Sequence, residues 1–575
     1  MAEFRPYSGA HRKLLIALDI GTTFSGQVPQ IKGVTRFPAQ EHVGGDSKVP
    51  SIIYYKDSEF LAAGAEAANI VEDLEDVTGG GKTCKSFTRA EWFKLHMRPN
   101  PKQSLDITQS IPPLPLNNTI VGVFADFLGY LYRCALTYIR DTHLDGVGLL
   151  KSVENHIEFV LTHPNAWEGA QQAQLRQAAI RGGLVPNLEE GNARIHFVTE
   201  GEAGLHFCIR RGLSFEAMKR GEGILIVDAG GGTVDLSAYG QVTSVSEKQS
   251  FHEITAPQCI FKGSVFVTKN AYHYLRNRLR GSTFAADVDH ITRCFDDTAK
   301  LRFRNSEEPQ YIKFGRTRDN DLNFDIRSGQ IKIPGEDVAA FFEPCIEGIT
   351  QAILKQKMHA TKSITSIFLI GGFSASDWLY SRLKLSLKPL GLELLRPDGH
   401  VNKAVADGAV SFYIDHFVKA RVSKFTYGLD SYVPYDITNV EHRRRLATLF
   451  VDSDGVDNVQ RKFSPILKKG TEVKETTEFR EDFFRKADSL DAIPNPMMDD
   501  ILCYRGPSTD PQWTDVESDM YTRLCTVVSD TSRIKRSLRP KRGKEGKVYF
   551  HLKYEVILSF GLTELKAQYN LMITP

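Results

Sequence analysis

Residues 224–239 read ILIVDAGGGTVDLSAY. Four apolar residues run into Asp228, three glycines follow, and Thr233 and Asp235 open a second strand-like run. A purely structural hairpin turn needs one or two glycines. Three in succession leave backbone N–H groups uncovered by side chains, which suits close approach of an anion. Two carboxylates beside an anion repel it unless a divalent cation lies between them. The stretch therefore predicts a β-hairpin whose tip takes a metal–phosphate group.

Two further glycine turns flank this one. KLLIALDIGTTFS at 13–25 begins as a buried strand and ends in a Gly21-Thr22-Thr23 turn. SITSIFLIGGFSASDWLYSRLK at 363–384 reads as a strand, a Gly371-Gly372 turn and a helix. Between them the periodicity predicts a helix at 121–141 and a strand at 155–162, which leads through Pro164 into a helix stopped by Gly182-Gly183. A strand, turn and helix follow at 195–209, then helices near 264–281, 284–303 and 336–358. Strands alternating with helices on both sides of residue 224 argue for an α/β fold. Past residue 424 the texture changes to short strands divided by long polar connections, as in a separate β-rich unit. GGGKT at 79–83 is not a phosphate-binding P-loop: Asp76 stands where that motif needs its first glycine, and no strand precedes it.

The bulk numbers exclude several classes. A chain of 575 residues is too long for one core, and two to four domains are expected. Its formal net charge of +2 supplies no global field toward nucleic acid or an anionic membrane. Eight cysteines without a CxxC pair are expected to be reduced thiols rather than a disulfide framework or a zinc site. MAEFRPYSGAHRK has no apolar core of a secretory leader, and no run approaches 18 uninterrupted apolar residues. The expectation is a cytoplasmic protein without a membrane span. SRIKRSLRPKRGKEGK at 532–547 is strongly basic but lacks the interleaved aromatics of a nucleic-acid surface, so it reads as a solvated loop, as does Arg443–Arg445.

Taken together, DIGTT at 19–23, DAGGGTVD at 228–235 and IFLIGGFSAS at 367–376 resemble the actin-like ATPase superfamily. Within it they resemble the 70-kDa heat-shock protein family, in its divergent 12A/12B branch. The resemblance covers roughly residues 13–420 and is faint beyond 424. It implies a two-lobed actin-like (ribonuclease-H-like, duplicated) ATPase domain, with lobes at 13–200 and 201–423. A β-rich region at 424–575 would follow as a reduced substrate-binding-like domain. ATP or ADP would lie in the cleft with Mg²⁺ held by Asp19 and Asp228, largely through water. Gly21, Thr22, Thr23, Gly230, Gly231, Gly232 and Thr233 would bind phosphate oxygens. Glu200 and Lys94, with Asp228, would position the metal and the attacking water. Asp297 and Lys300 would meet the ribose and adenine, and Gly371 and Gly372 would support the adenosine.

The departures bear on mechanism. In the family a return strand follows the first phosphate turn at once, whereas here Pro29 comes three residues after Gly26, so a missing, displaced or shortened strand is expected, as from a deletion. Family members carry Ser-Thr-Arg after the third Gly-Gly, with arginine on adenine; Phe373-Ser374-Ala375 stand here, so adenine must be held otherwise. Gly201-Glu202 replace Pro-Thr after Glu200, adding a carboxylate near the phosphates, and no long helical lid is expected after the β unit. The residues support three readings. One is slow Mg-dependent ATP hydrolysis coupled to lobe motion, with protein clients or co-chaperones. A second is a nucleotide-binding switch that does not turn over. A third is a small-molecule kinase, for which no catalytic base can be assigned.

Overall fold

The computed structural model describes residues 13–21, 24–29, 34–39, 49–67, 87–99, 111–212, 221–242, 250–397, 401–561 and 564–572. Thr22, Thr23, Cys84 and the 79–83 glycine run lie outside them. Met1–Trp167 and Gln171–Val418 form one compact unit, and Glu168–Ala170 with Lys419–Pro575 form a second.

In the first unit, β1 (Leu14–Ile20) is an almost continuous buried apolar run, as befits the middle of a sheet covered on both faces. It pairs antiparallel with β2 (Phe24–Pro29), which pairs antiparallel with β3 (Val49–Pro50). On its other side β1 runs parallel to β4 (Ile157–His163), itself parallel to β5 (Ile195–Thr199). Of the three expectations for the return strand, missing, displaced or shortened, the first two are overturned: a strand of six residues is present, Ile20 faces Ser25, and the ladder runs to Ile16 opposite Pro29. Proline is accommodated because it occupies the last position of the strand, where the absent N–H interrupts nothing.

The second sheet repeats this plan. Its strands within residues 223–395 are β6 (Gly223–Ala229), β7 (Val234–Val242), β8 (Ser250–Glu253), the short β9 (Gln258–Ile260), β10 (Ile364–Ile370) and β11 (Glu393–Leu395). The order β8-β7-β6-β10-β11 matches β3-β2-β1-β4-β5, with antiparallel pairs on one side of the central strand and parallel pairs on the other. β9 pairs with the start of β7. Both central strands carry aspartate at their sixth residue, Asp19 and Asp228.

The helices follow the same repeat. α1 (Ile120–Thr142) precedes β4, α2 (Gly169–Arg181) precedes β5 and α3 (Glu200–Arg210) follows it. After α4 (Ser264–Arg278), α5 (Gly335–His359) precedes β10, α6 (Asp377–Leu387) precedes β11 and α7 (Ala404–Asp415) follows it. Ile16, Phe124, Phe127 and Phe159 anchor one core, and Leu225, Phe295, Phe342 and Leu369 anchor the other. Leu205, Phe207, Ile226, Ile370 and Ala404 form a third cluster, from α3, the second sheet and α7. α3 and α7 touch so closely that a Cβ on Gly408 would lie 1.8 Å from the Ala203 carbonyl oxygen. α1 is long and apolar enough to cross a membrane by length and composition, but Val123, Phe124, Phe127, Leu128 and Leu131 are buried in the first core. The helix expected over 284–303 is present: a 3₁₀ turn at Ala285–Asp287 runs into α-helical Val288–Cys294, a π-turn at Phe295–Ala299 and α-helical Lys300–Arg302.

The second unit is built of strands: β12 (Thr426–Pro434), β13 (Asp457–Leu467), β14 (Glu478–Ala487), β15 (Met497–Tyr504), β16 (Tyr521–Ser529), β17 (Pro540–Arg542), β18 (Val548–Gly561) and β19 (Glu564–Met572). One sheet runs Leu449–Val451, β13, β12, β15, β16; the other is centred on β18, with β14 on one side and β17 and β19 on the other. Met497, Ile501, Leu552, Val556 and Leu558 are buried in its core. Cys134, Cys208, Cys345 and Cys503 are buried free thiols, and the described residues contain no disulfide.

Candidate functional site

Ligands of open α/β sheets gather at the carboxyl ends of the strands, and four strand ends of the first unit place polar groups there. Asp19, near the end of β1, is buried and accepts a hydrogen bond from Thr162 Oγ1 of β4 at 2.8 Å. Asp228 occupies the equivalent place on β6 and is also buried. Glu200 opens α3 directly after β5, its turn capped by Thr199, whose hydroxyl accepts from the Glu202 N–H at 3.2 Å. Gly371 follows β10 beside Asp228, with φ of +87°; a Cβ there would sit 2.1 Å from Asp228 Oδ1. Only glycine fits both that backbone conformation and that approach.

The turn at 230–233 is organised from below. The N–H groups of Gly263, Ser264 and Val265, where α4 begins, donate to the carbonyls of Gly232, Gly230 and Gly231 at 3.3, 3.2 and 2.9 Å. Gly263 is obligatory here, because a Cβ would come within 2.3 Å of the Gly231 oxygen. Gly230 N–H closes the turn on Thr233 O at 2.9 Å, so that amide is committed, contrary to its expected place among the phosphate donors. Among the described residues the N–H groups of Gly231, Gly232 and Thr233 have no protein acceptor outside regular strand pairing. With the carbonyls of Gly230, Gly231 and Gly232 tied back to the start of α4, these N–H groups form the remaining open edge of the turn, an arrangement that suits an anion.

Lys94 lies in a 3₁₀ turn, Phe93–Met97, and is almost fully buried. It donates to Glu200 Oε1. A small cavity beside it is lined by Leu18, Ile20, Phe124, Thr162 and Trp167. Burial works to lower the Lys94 pKa, but Glu200, Asp19 and Asp235 outweigh it and hold the group charged. Burial, with Asp235, Asp19 and Asp228 adding, pushes the Glu200 carboxyl well above the ordinary range against the pull of Lys94. One ammonium stands among four buried carboxylates, so burial and an excess of negative charge together disfavour ionisation of Glu200. A bound divalent cation would offset that excess.

Asp235 stands opposite Asp228 across the β6–β7 hairpin. Its Oδ1 accepts the Asn165 N–H at 2.6 Å, and Asn165 Nδ2 reaches Ser237 Oγ at 3.0 Å and the carbonyls of Leu236 and Gln258 at 3.2 Å. Asn165, next to Pro164, thus bridges the first sheet to the second. A Cβ on Gly201 would strike Ser237 Oγ at 2.2 Å, so glycine after Glu200 is required by this joint. Glu202 is buried in the first turn of α3.

The expected ribose and adenine residues are placed less simply. Lys300 is buried and bonds Asp296, with Thr268 Oγ1 at 3.2 Å, rather than standing free. Thr268 lies on α4, so the π-turn, a form frequent at functional sites, is fastened to the helix that supports the glycine turn. Burial and Asp296 push the neighbouring Asp297 carboxyl up, against Lys300, Arg293 and Arg89. Gly372 begins the turn into Phe373–Ala375. Beside that turn stands Arg396, which the sequence did not single out. It donates to Ser374 O and Asp377 Oδ1, both at 3.1 Å, and lies 4.8 Å over the Tyr380 ring. Thr162, Asn165, Thr268, Asp296 and Arg396 were all missed, since none belongs to a glycine motif; Asn165 alone adjoined a signal, Pro164.

Asp19 and Asp228 offer hard oxygen donors, while no three His, Cys, Asp or Glu side chains among the described residues form a ready-made metal cage. That donor set fits Mg²⁺, which keeps several waters and is held by one or two carboxylates plus ligand phosphates.

Two sheets of one topology, each with an aspartate next to last in its central strand and glycine turns at strand ends, define an α/β protein. No protein-family model matches the chain. It is similar to heat shock 70 kDa protein 12B of Homo sapiens, with 23% identity over 530 residues, 75% of this chain and 74% of that protein. At that distance it is a divergent relative of a 70-kDa heat-shock protein.

Proposed function

We propose that the first unit is a two-lobed actin-like domain that binds ATP with Mg²⁺ and hydrolyses it slowly to ADP and phosphate. The observation that carries this reading is the buried cluster of Lys94, Glu200, Asp19, Asp228 and Asp235 at the strand ends of two like sheets. Asp19 and Asp228 would hold the cation, mainly through its waters, and the cation would neutralise phosphate charge. Gly231, Gly232 and Thr233 donate backbone N–H groups to phosphate oxygens, where preorganised donors stabilise developing charge. Glu200 meets Lys94 through Oε1, which leaves Oε2 to accept a hydrogen bond from water and orient it. Asn165, tied to Asp235 across the sheets, is the joint through which ligand state would reach lobe position. The second unit is where a protein client or co-chaperone would be sought.

A specific observation favours a second reading, a nucleotide switch that does not turn over. The Lys94 ammonium is committed to Glu200, so it is not free to orient the attacking water until the pair separates. Calorimetric titration with Mg-ATP tests the binding site: micromolar binding abolished by Asp228→Asn supports it, and unchanged affinity in the variant removes it. Phosphate release from the same samples, with Glu200→Gln alongside, then separates slow ATPase from switch.

A further inference from the structure

The run SRIKRSLRPKRGKEGK and the strand after it change character once the sheet register is known. Residues 532–553 hold nine lysines and arginines against one acid, Glu545, in a chain whose net charge is only +2. None of the nine is in an ion pair among the described residues. Seven of the eight up to Lys547 are exposed, as is Lys553. The linear run lacks aromatic residues, but the sheet supplies them from neighbouring strands.

β18 points Leu552, Tyr554, Val556 and Leu558 into the core, so Tyr549, His551 and Lys553 face away from it. Across from Tyr549 on β17 is Lys541. Across from His551 on β14 is Lys486, and across from Lys553 is Phe484. Residues directly opposite in an antiparallel pair share a face. On this face, therefore, each of three rings stands opposite a lysine. The rings also touch one another: Phe484 and His551 lie 5.4 Å apart and His551 and Tyr549 6.3 Å apart. Three of the acids near the strip are compensated, whereas exposed Asp482, two residues from Phe484 on the same face of β14, has no ion pair among the described residues. Asp452 and Asp454 pair with Lys486 at 3.3 and 2.6 Å, and Glu555 pairs with Arg480 at 3.0 Å. His551 Nε2 is buried without a hydrogen-bond partner.

We propose that this face of the β18 sheet binds single-stranded nucleic acid, with Tyr549 and Phe484 as stacking platforms and Lys541, Lys553 and the 539–547 arm taking the phosphates. Alternating rings and cations on a sheet suit a flexible strand whose bases are unpaired, because every base has a π-face and every link a phosphate. A lipid surface would use the cations and leave the rings idle. Burial, with Lys541, Lys553 and Lys486 nearby, keeps the His551 pKa below its ordinary value, so the ring is neutral at pH 7. The site lies wholly in the second unit and does not depend on the nucleotide reading of the first.

The test is fluorescence anisotropy of the full chain with fluorescein-labelled (dT)15 and (U)15 between 50 and 200 mM salt. The affinity should fall with salt, about 0.7 in log–log slope for each phosphate neutralised. Lys541→Glu, an exposed position that leaves folding intact, should lower that slope by about one unit. Tyr549→Ala should weaken binding about tenfold at every salt concentration while unlabelled heparin binds as before. Three results overturn the proposal: no binding at 50 mM salt, equal binding of heparin and oligonucleotide with Tyr549→Ala silent, or displacement by phosphatidylserine vesicles with Tyr549→Ala again silent.

Discussion

Single residues carry the site, and two of them can be tested by what they cannot tolerate or must supply. Gly371 combines φ of +87° with an approach that would bring a Cβ to 2.1 Å from Asp228 Oδ1. Gly371→Val should abolish Mg-ATP binding in calorimetry and lower the melting temperature of the first unit, since valine is strained there and displaces the Asp228 carboxylate proposed to hold the metal. Gly231→Val, on the anion-facing edge of the turn, should remove binding with far less cost to stability. Arg396 is a different case. Its guanidinium is held by Ser374 O and Asp377 beside the third turn, with 30% of the side chain exposed. It bonds the carbonyl of Ser374, next to Ala375, the position at which the resemblance implies arginine. Arg396→Ala should cost Mg-ATP about tenfold in affinity and leave inorganic tripolyphosphate unaffected, because a stacked guanidinium contributes to base binding alone. Equal loss for both ligands would mean that Arg396 only braces the turn.

At the scale of elements, the strands that end in glycine turns were legible because a buried strand declares itself as an apolar run and a glycine cluster marks its end. β1, β6 and β10 with their turns were read in this way. β2 was misread because Pro29 was weighed as though it lay inside the ladder, when it terminates it. The π-turn at Phe295–Ala299 was invisible, since an extra residue in one turn leaves no mark on apolar spacing. Lys94 was found by resemblance, but its commitment to Glu200 is a tertiary fact joining residues 106 apart. The basic run was legible as charge and illegible as a surface: its rings come from β14 and β18, and only pairing brings them together.

The same sheet contains a pair whose pH dependence is worked out by sign. Burial works to raise the Asp454 pKa, but the hydrogen bond from Lys486 outweighs it and holds the group below the ordinary range. Burial works to lower the Lys486 pKa, and Asp454 with Asp452 outweighs that and raises it. A depressed carboxylate stabilises the fold above its unfolded pKa of about 3.9, and the benefit is lost as pH falls through the folded value. A raised lysine stabilises below about 10.4, and the benefit is lost as pH rises through its folded value. The pair therefore acts between these limits. With both side chains mostly buried but not dry, Lys486→Met should cost about 2 kcal/mol at pH 7, between a surface pair and a fully buried one. Chemical denaturation repeated as pH is lowered below about 3.9 should show that difference shrinking; a loss independent of pH would assign it to packing of the lysine stem over Phe484 instead.

For the whole molecule, the division into two units with separate cores predicts how unfolding responds to ligand. All the groups assigned to the nucleotide lie in the first unit, and all those assigned to the strand-binding face lie in the second. A ligand stabilises only the unit whose native state binds it, by RT ln(1 + [L]/Kd), or about 2.7 kcal/mol at a hundredfold excess over Kd. Scanning calorimetry of the full chain should resolve two transitions. Mg-ATP should move one of them upward by several degrees and leave the other in place, and Asp228→Asn should remove the shift. Oligonucleotide should move the other transition and be indifferent to Asp228→Asn. A single transition shifted by both ligands would show that the units unfold as one cooperative body, in which the nucleotide site and the β-rich unit are coupled through their folding free energy rather than merely joined in one chain.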